Sequence, residues 1–266
     1  IVKVYEDTPA SRAGIETNDV ITNINGTNTE GKTTAEVANM IDKTKANTIT
    51  VNRNGEEISF QVTPEIINEP LTTTTYQRNN QNIGYIYVNA FTNTVGEEFK
   101  KSLTELESSN INSLIIDLRG NTGGYLKGAT DIASMFIKKG KVLYILENKN
   151  SKESYYDETN EQRSLPVIVL IDGGSASASE VLAGALKDSY GATLVGTLSY
   201  GKGKVQQTNK LEDGSMVKYT IARWLRPNGE CIDEIGIEPD YEVELEQDEE
   251  GNFIDTQLEK ALELLS

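Results

Sequence analysis

The chain has 266 residues with a formal net charge of −16, 37% hydrophobic and 25% charged residues. This suits two globular domains or one large one, and the acidic balance argues against nucleic acid or anionic membrane surfaces as main partners, since both repel it. It contains no histidine and a single cysteine, Cys231, which excludes Ser-His-Asp and Cys-His catalysis, His-based zinc, an internal disulfide and Cys-cluster metal sites.

Residues 1–64 read as a small mixed domain. Ile1 to Tyr5 alternate like a strand, and Thr8 to Gly14 reads as a helical turn closed by glycine. Asp19 to Ile24 is an expected strand ending at the Asn25-Gly26 turn. Thr34 to Ile41 has helical spacing, and Ile49–Val51 with Ile58–Val62 form a hairpin around Asn54-Gly55. Residues 65–82, polar and threonine-rich, read as a linker or edge segment. From Ile83 to residue 245 strand and helix patterns alternate: strands at Ile83–Ala90, Leu114–Leu118, Val167–Ile171 and Ala192–Val195, and helices at Val95–Leu106, Leu126–Lys138 and Ser177–Lys187. That alternation predicts an α/β domain with buried parallel strands. Lys204–Leu211 and Ser215–Trp224 read as a hairpin around Glu212-Asp213-Gly214. Residues 246–266 end in an amphipathic helix, Asp255 to Leu265.

Three glycine-rich loops follow buried strands: Asp117 to Gly124, Asp172 to Glu180 and Ser199 to Gly203. Ligand sites in α/β sheets collect at the carboxyl ends of strands, so the three can converge. In the second loop a serine opens a helix, among free N–H groups able to stabilise an oxyanion. Equally, Ser175, Ser177 and Ser179 can be plain helix caps, with Glu180 completing a capping box with Ser177. The third loop offers Lys202 between two glycines. A lysine serves as a general base when burial lowers its affinity for a proton, and is otherwise a solvated charge.

Together these segments resemble the carboxy-terminal processing proteases, in which a PDZ domain accompanies a crotonase-like α/β protease domain with a Ser/Lys dyad. The motifs are Gly174-Ser175-Ala176-Ser177-Ala178-Ser179-Glu180 and, 25 residues on from Ser177, Gly201-Lys202-Gly203-Lys204-Val205-Gln206. The resemblance extends through Trp224-Leu225 and Gly236 to Asp240. It implies Ser177 as nucleophile, Lys202 as base, Gln206 orienting the amine and Asp188 in support. It also implies an oxyanion hole from the N–H groups of Ala178 and Gly123. Thr122 and Lys204 depart from the family's usual proline and threonine. The activity implied is a serine endopeptidase cutting polypeptides at or near free C-termini, gated by the PDZ domain, without cofactor or metal. A homodimer and a regulatory adaptor protein are the further partners implied. The location implied is outside the cytoplasm, in the cell envelope or a spore's intermembrane space, with a membrane anchor in a missing N-terminal segment. The PDZ carboxylate-binding loop is expected upstream of residue 1.

Three other readings meet obstacles in the residues. Gly196 to Lys202 nearly spells a phosphate loop, but Gly203 stands where a metal-binding hydroxyl is required. Ser199-x-x-Lys202 and Ser215-x-x-Lys218 fit the Ser-x-x-Lys pattern, yet neither reads as helical. A non-catalytic PDZ scaffold on an inactive protease-like domain is opposed by the retained Ser177, Lys202 and Gln206.

Overall fold

In a computed structural model of the chain, residues 1, 4, 8–65, 70–211, 215–247 and 253–266 are described. Two compact units emerge, Ile1–Asn68 and Glu69–Ser266. The strand expected over residues 1–5 falls largely outside the described residues, as does the turn expected at 212–214.

The first unit holds α1 (Pro9–Ala13), β1 (Val20–Ile24), β2 (Thr27–Asn28), α2 (Thr34–Asn39), β3 (Asn47–Arg53) and β4 (Glu56–Val62). Thr8 and Thr33 cap the two helices with their side chains, and Gly14 ends α1 at φ +90°. Asn25-Gly26 and Asn54-Gly55 adopt positive φ at both positions, the backbone a two-residue hairpin turn needs. The four strands pair in the order β2-β1-β3-β4, over a core of Ile15, Ile49, Val51 and Val62. Beneath them Arg53 grips the buried Asp19 with two bonds of 2.7 Å. Those bonds, with the Glu16 N–H, outweigh burial and lower the Asp19 carboxyl to about 2.

The second unit begins with β5 (Leu71–Arg78), β6 (Gln81–Val88), α3 (Val95–Ser108), β7 (Ser113–Asp117) and α4 (Leu126–Ser134). The hairpin β8 (Val142–Glu147) and β9 (Lys152–Tyr156) follows, then β10 (Val167–Ile171), α5 (Ala178–Ala185) and β11 (Thr193–Gly196). A long hairpin comes next, β12 (Lys204–Lys210) with β13 (Met216–Leu225), and then β14 (Tyr241–Glu242). A small pair, β15 (Glu246–Gln247) with β16 (Phe253–Ile254), leads to α6 (Thr256–Leu264).

The main sheet runs β14-β11-β10-β7-β6-β5, with β6, β7, β10 and β11 parallel. Residues 71–78, inside the stretch read as linker or edge, form its antiparallel edge strand β5. Every residue of β7 and β10 is buried, as continuous apolar runs in a two-sided sheet require. One face packs on α3, α4 and α5 through Phe99, Ile132, Phe136 and Leu182; the other is closed by α6 through Ala261 and Leu262. The second sheet, β12-β13-β8-β9, is antiparallel.

Among the helices that end before their expected bounds, two in the second unit show why. Helix α4 stops at Ser134 because residues 135 and 136 tighten onto Ile132 and Ala133. Helix α5 stops at Ala185 and widens into a π turn, Leu186–Tyr190, which ends at Gly191 in the left-handed region.

Candidate active site

The three glycine-rich loops do meet at the carboxyl ends of β7, β10 and β11. Asp172 Oδ1 accepts the N–H groups of Gly120 (2.9 Å) and Gly174 (2.8 Å). Ser175 Oγ donates to Leu118 O at 2.8 Å, and Ser179 Oγ to Asn121 O at 2.7 Å. The third loop joins through Tyr200 N–H, which donates to Ser175 O at 3.0 Å. Two of the three motif serines therefore work as fasteners, buried and bonded to backbone.

Ser177 differs. It stands immediately before α5 at φ +58°, ψ −114°, a region that non-glycine residues occupy only under constraint. It is half-buried on a cavity of about 200 Å³ shared with Gly124, Ala178, Gln206 and Trp224. Gly123 packs directly beneath it: an added Cβ would lie 2.7 Å from Ala176 O and 2.9 Å from Ser177 Cβ. A strained serine on a sharp strand-to-helix turn is the geometry by which hydrolases present a nucleophile.

Glu180 holds this turn. Wholly buried, it accepts Ser177 N–H at Oε2 (2.8 Å), the N-terminal bond a capping box provides. The same oxygen accepts Lys202 N–H at 3.0 Å. Those two bonds of 2.8 and 3.0 Å, laid end to end, limit the Ser177 N to Lys202 N separation to 5.8 Å. Its Oε1 accepts Ser199 Oγ–H and Gly201 N–H, each at 2.7 Å. One carboxylate thus ties the serine turn to the lysine turn. The Ser-x-x-Glu spacing discloses its first bond, but its reach to residues 199–202 exists only in three dimensions.

The lysine turn is held from two more directions. Lys202 O accepts the Trp224 indole N–H at 3.1 Å. Loop 231–236 lies against the flanking glycines: a Cβ on Gly201 would sit 2.9 Å from Gly236 N, and one on Gly203 2.8 Å from Asp233 N. With the backbone so fixed, the Lys202 side chain is nevertheless exposed. Among the described residues its amine makes no hydrogen bond or ion pair, so the contact with Ser177 Oγ that a working dyad needs is not formed in this structure.

Gln206 lines the cavity from β12, opposite a bulge in β13 where Ile221 is the extra residue between the partners of Val205 and Gln206. Asp188 lies on the π turn and pairs with Arg226 at 2.5 and 3.1 Å, bracing the end of β13. The oxyanion assignment to Gly123 needs correction. Its N–H donates to Asn121 Oδ1 at 2.8 Å and is already used. Among the described residues the N–H groups of Gly124 and Ala178, both on the cavity, have no partner. Lys204, one of the two departures from the family pattern, also lines the cavity and pairs its ammonium with Glu234 at 2.6 Å.

The loop after β7 is anchored by a partly buried network that the sequence did not disclose. Arg119 binds Asp117 at 2.6 Å and Asp255 at 2.7 Å, and Tyr85 OH donates to Asp117 at 2.7 Å. Asp255 also caps α6, so the final helix and the glycine loop share one guanidinium.

A PDZ domain and an α/β serine-peptidase domain are the class that this fold and site define. Residues 82–243 match the model of peptidase family S41 and residues 1–53 that of the PDZ domain. The chain is 38% identical to the carboxy-terminal processing protease CtpB of Bacillus subtilis over 245 residues, 90% of this chain and 51% of that protein. It is 36% identical to a probable CtpA-like serine protease of Staphylococcus aureus over 260 residues, 96% of this chain and 52% of that one. Among solved structures, the photosystem II D1 C-terminal processing protease superposes with TM-score 0.66 at 28% identity, covering 94% of this chain and 70% of that one. The chain belongs to peptidase family S41, among the carboxy-terminal processing serine proteases. It spans about half the length of the two relatives it matches.

Proposed function

We propose that the chain carries the catalytic centre of a serine endopeptidase that cuts polypeptides at or near their C-termini. Ser177 is the nucleophile and Lys202 the general base. The observation that carries this is the strained Ser177 turn sharing one buried carboxylate oxygen with the Lys202 backbone.

Lys202 Nζ, as the neutral amine, takes the Ser177 proton as Oγ bonds to the scissile carbonyl carbon. The N–H groups of Ala178 and Gly124 receive the oxyanion, Gly124 taking the place expected for Gly123. The C–N bond then breaks with the proton returned from Lys202 to the leaving amine, and water hydrolyses the acyl-enzyme. Gln206, on the same cavity, orients the amine. The side chain of Lys202 must swing in from its exposed position, so this structure is read as a resting state. Capture of the substrate's C-terminus by the PDZ unit as an added strand positions the chain for cleavage.

Ser177→Ala and Lys202→Ala should each reduce turnover of an internally quenched peptide by at least about 10²-fold with the melting temperature retained. A Lys202→Ala protein with near-full activity would sink the dyad. Should the wild-type protein bind C-terminal peptides and cleave none, the non-catalytic scaffold reading takes its place.

A further inference from the structure

Trp224 touches two parts of the site that peptide cleavage uses separately. It is 5% exposed and walls the cavity beside Ser177, with Leu146, Val181 and Val205. Its ring has one polar atom, a donor only, and that N–H goes to Lys202 O at 3.1 Å. Its backbone N–H donates to Gly203 O at 3.0 Å. Two residues on, Arg226 is pinned by Asp188 at the foot of the nucleophile helix. The strand end is therefore fixed, and the indole spans from the cavity to the base-bearing turn.

We propose that Trp224 couples occupancy of the side-chain cavity to the placement of Lys202, so that an apolar side chain preceding the scissile bond accelerates the chemical step rather than binding alone. An apolar group seated on the ring removes the ring's freedom to tilt. The indole bond passes that restriction to the Lys202 carbonyl. Binding energy from a part of the substrate that does not react is then expressed in the transition state. Trp224 is a positioning and specificity residue; it touches no reacting atom. The proposal rests on the assignment of Ser177 and Lys202 as nucleophile and base.

The test uses two quenched peptides that differ only in Leu or Gly before the scissile bond, with the whole chain and its Trp224→Phe variant. Phenylalanine keeps an aromatic wall and loses the N–H. Wild type should turn over the Leu peptide with the higher kcat. Trp224→Phe should lower that kcat about tenfold, the worth of one hydrogen bond, with KM little changed and the Gly peptide unaffected. Equal loss on both peptides, which marks a fold strut, or a rise in KM alone, which marks a plain wall, overturns the coupling. A second measurement needs no change at Trp224. It is the sole tryptophan, so emission from the Ser177→Ala protein should shift on binding the Leu peptide, and the Gly201–Gly203 amides should exchange more slowly. Leu-peptide binding with neither change also overturns the coupling. If wild type cleaves neither peptide, or Ser177→Ala cleaves as wild type, the peptidase assignment fails and the coupling falls with it.

Discussion

Glu180 is the position at which a small chemical change should disturb the site most. Glu180→Gln keeps shape and replaces one acceptor oxygen by an NH₂ group. If that NH₂ took the Oε2 position it would face Ser177 N–H and Lys202 N–H, two donors that cannot accept. In the opposite orientation it faces Ser199 Oγ, which has a lone pair to accept it, but Gly201 N–H loses its partner and the Ser199 hydroxyl, which also accepts Ile237 N–H, loses the acceptor for its own hydrogen. The second orientation wins, because a hydroxyl can rotate to accept where a backbone N–H cannot, and it should cost about 1–3 kcal/mol of stability. Glu180→Ala strands all four donors of a wholly buried group and should cost about 3–5 kcal/mol, the upper range for a broken buried network. The two turns would then drift apart. Misplacement of catalytic groups by about 1 Å costs roughly 10²-fold in rate, so kcat should fall by that order in Glu180→Ala and by much less in Glu180→Gln. Urea denaturation and quenched-peptide kinetics read both quantities. A Glu180→Ala protein with wild-type kcat, or a Gln variant as damaged as the Ala variant, would refute the reasoning.

Gly123→Ala forces a Cβ to 2.7 Å from Ala176 O at φ +102°. It should cost about 1–3 kcal/mol and suppress turnover, as calorimetry beside the same peptide assay would report. Arg119→Met leaves Asp117, which is 1% exposed, without its cation. A loss of about 3–5 kcal/mol is expected, with faster amide exchange in α6, because Asp255 loses its tie. The depressed Asp19 carboxyl, at about 2, contributes stability to the first unit that is complete above the ordinary carboxylate range near about 4. As pH falls from there through about 2 that contribution is lost. Acid titration of the isolated signals of Ile49 and Val51 by NMR should show the loss in wild type and not in Arg53→Met.

Strands and turns were legible where local chemistry settles them. Continuous apolar runs marked β7 and β10, and Asn-Gly pairs marked the two turns of the first unit. The hairpin β8–β9 went unread because β9, Lys152–Tyr156, is largely polar; its tie to β8 includes the stacked pair Tyr144–Tyr155, at 4.6 Å between ring centres, which only a fold can bring together. In the site, motif spacing located Ser177 and Lys202 but not the bonds that join them. The motif resemblance points to the Gly123 N–H as an oxyanion donor, but spacing does not reveal that Asn121 already holds it. The exposure of Lys202 likewise depends on what lies above the turn, which no local pattern encodes.

The same carboxylate explains how a strained Ser177 turn and an exposed Lys202 side chain coexist. A non-glycine residue at φ +58°, ψ −114° carries about 1–3 kcal/mol of strain. A hydrogen bond to a charged group returns about 1.5–3 kcal/mol, so the Glu180 bond to Ser177 N–H is enough to hold the turn without substrate. Because its other contacts fix Lys202 N and Gly201 N, the base's backbone is set by the same act. What remains is ordering of one exposed lysine side chain, worth about 1.5–2 kcal/mol of rotamer entropy. That is a population factor of some 10- to 30-fold. A bound peptide can supply it without rearranging the sheet. On the proposed assignment, activation of this centre requires rotation of the Lys202 side chain and shielding of its amine, while Glu180 holds the backbone of both turns.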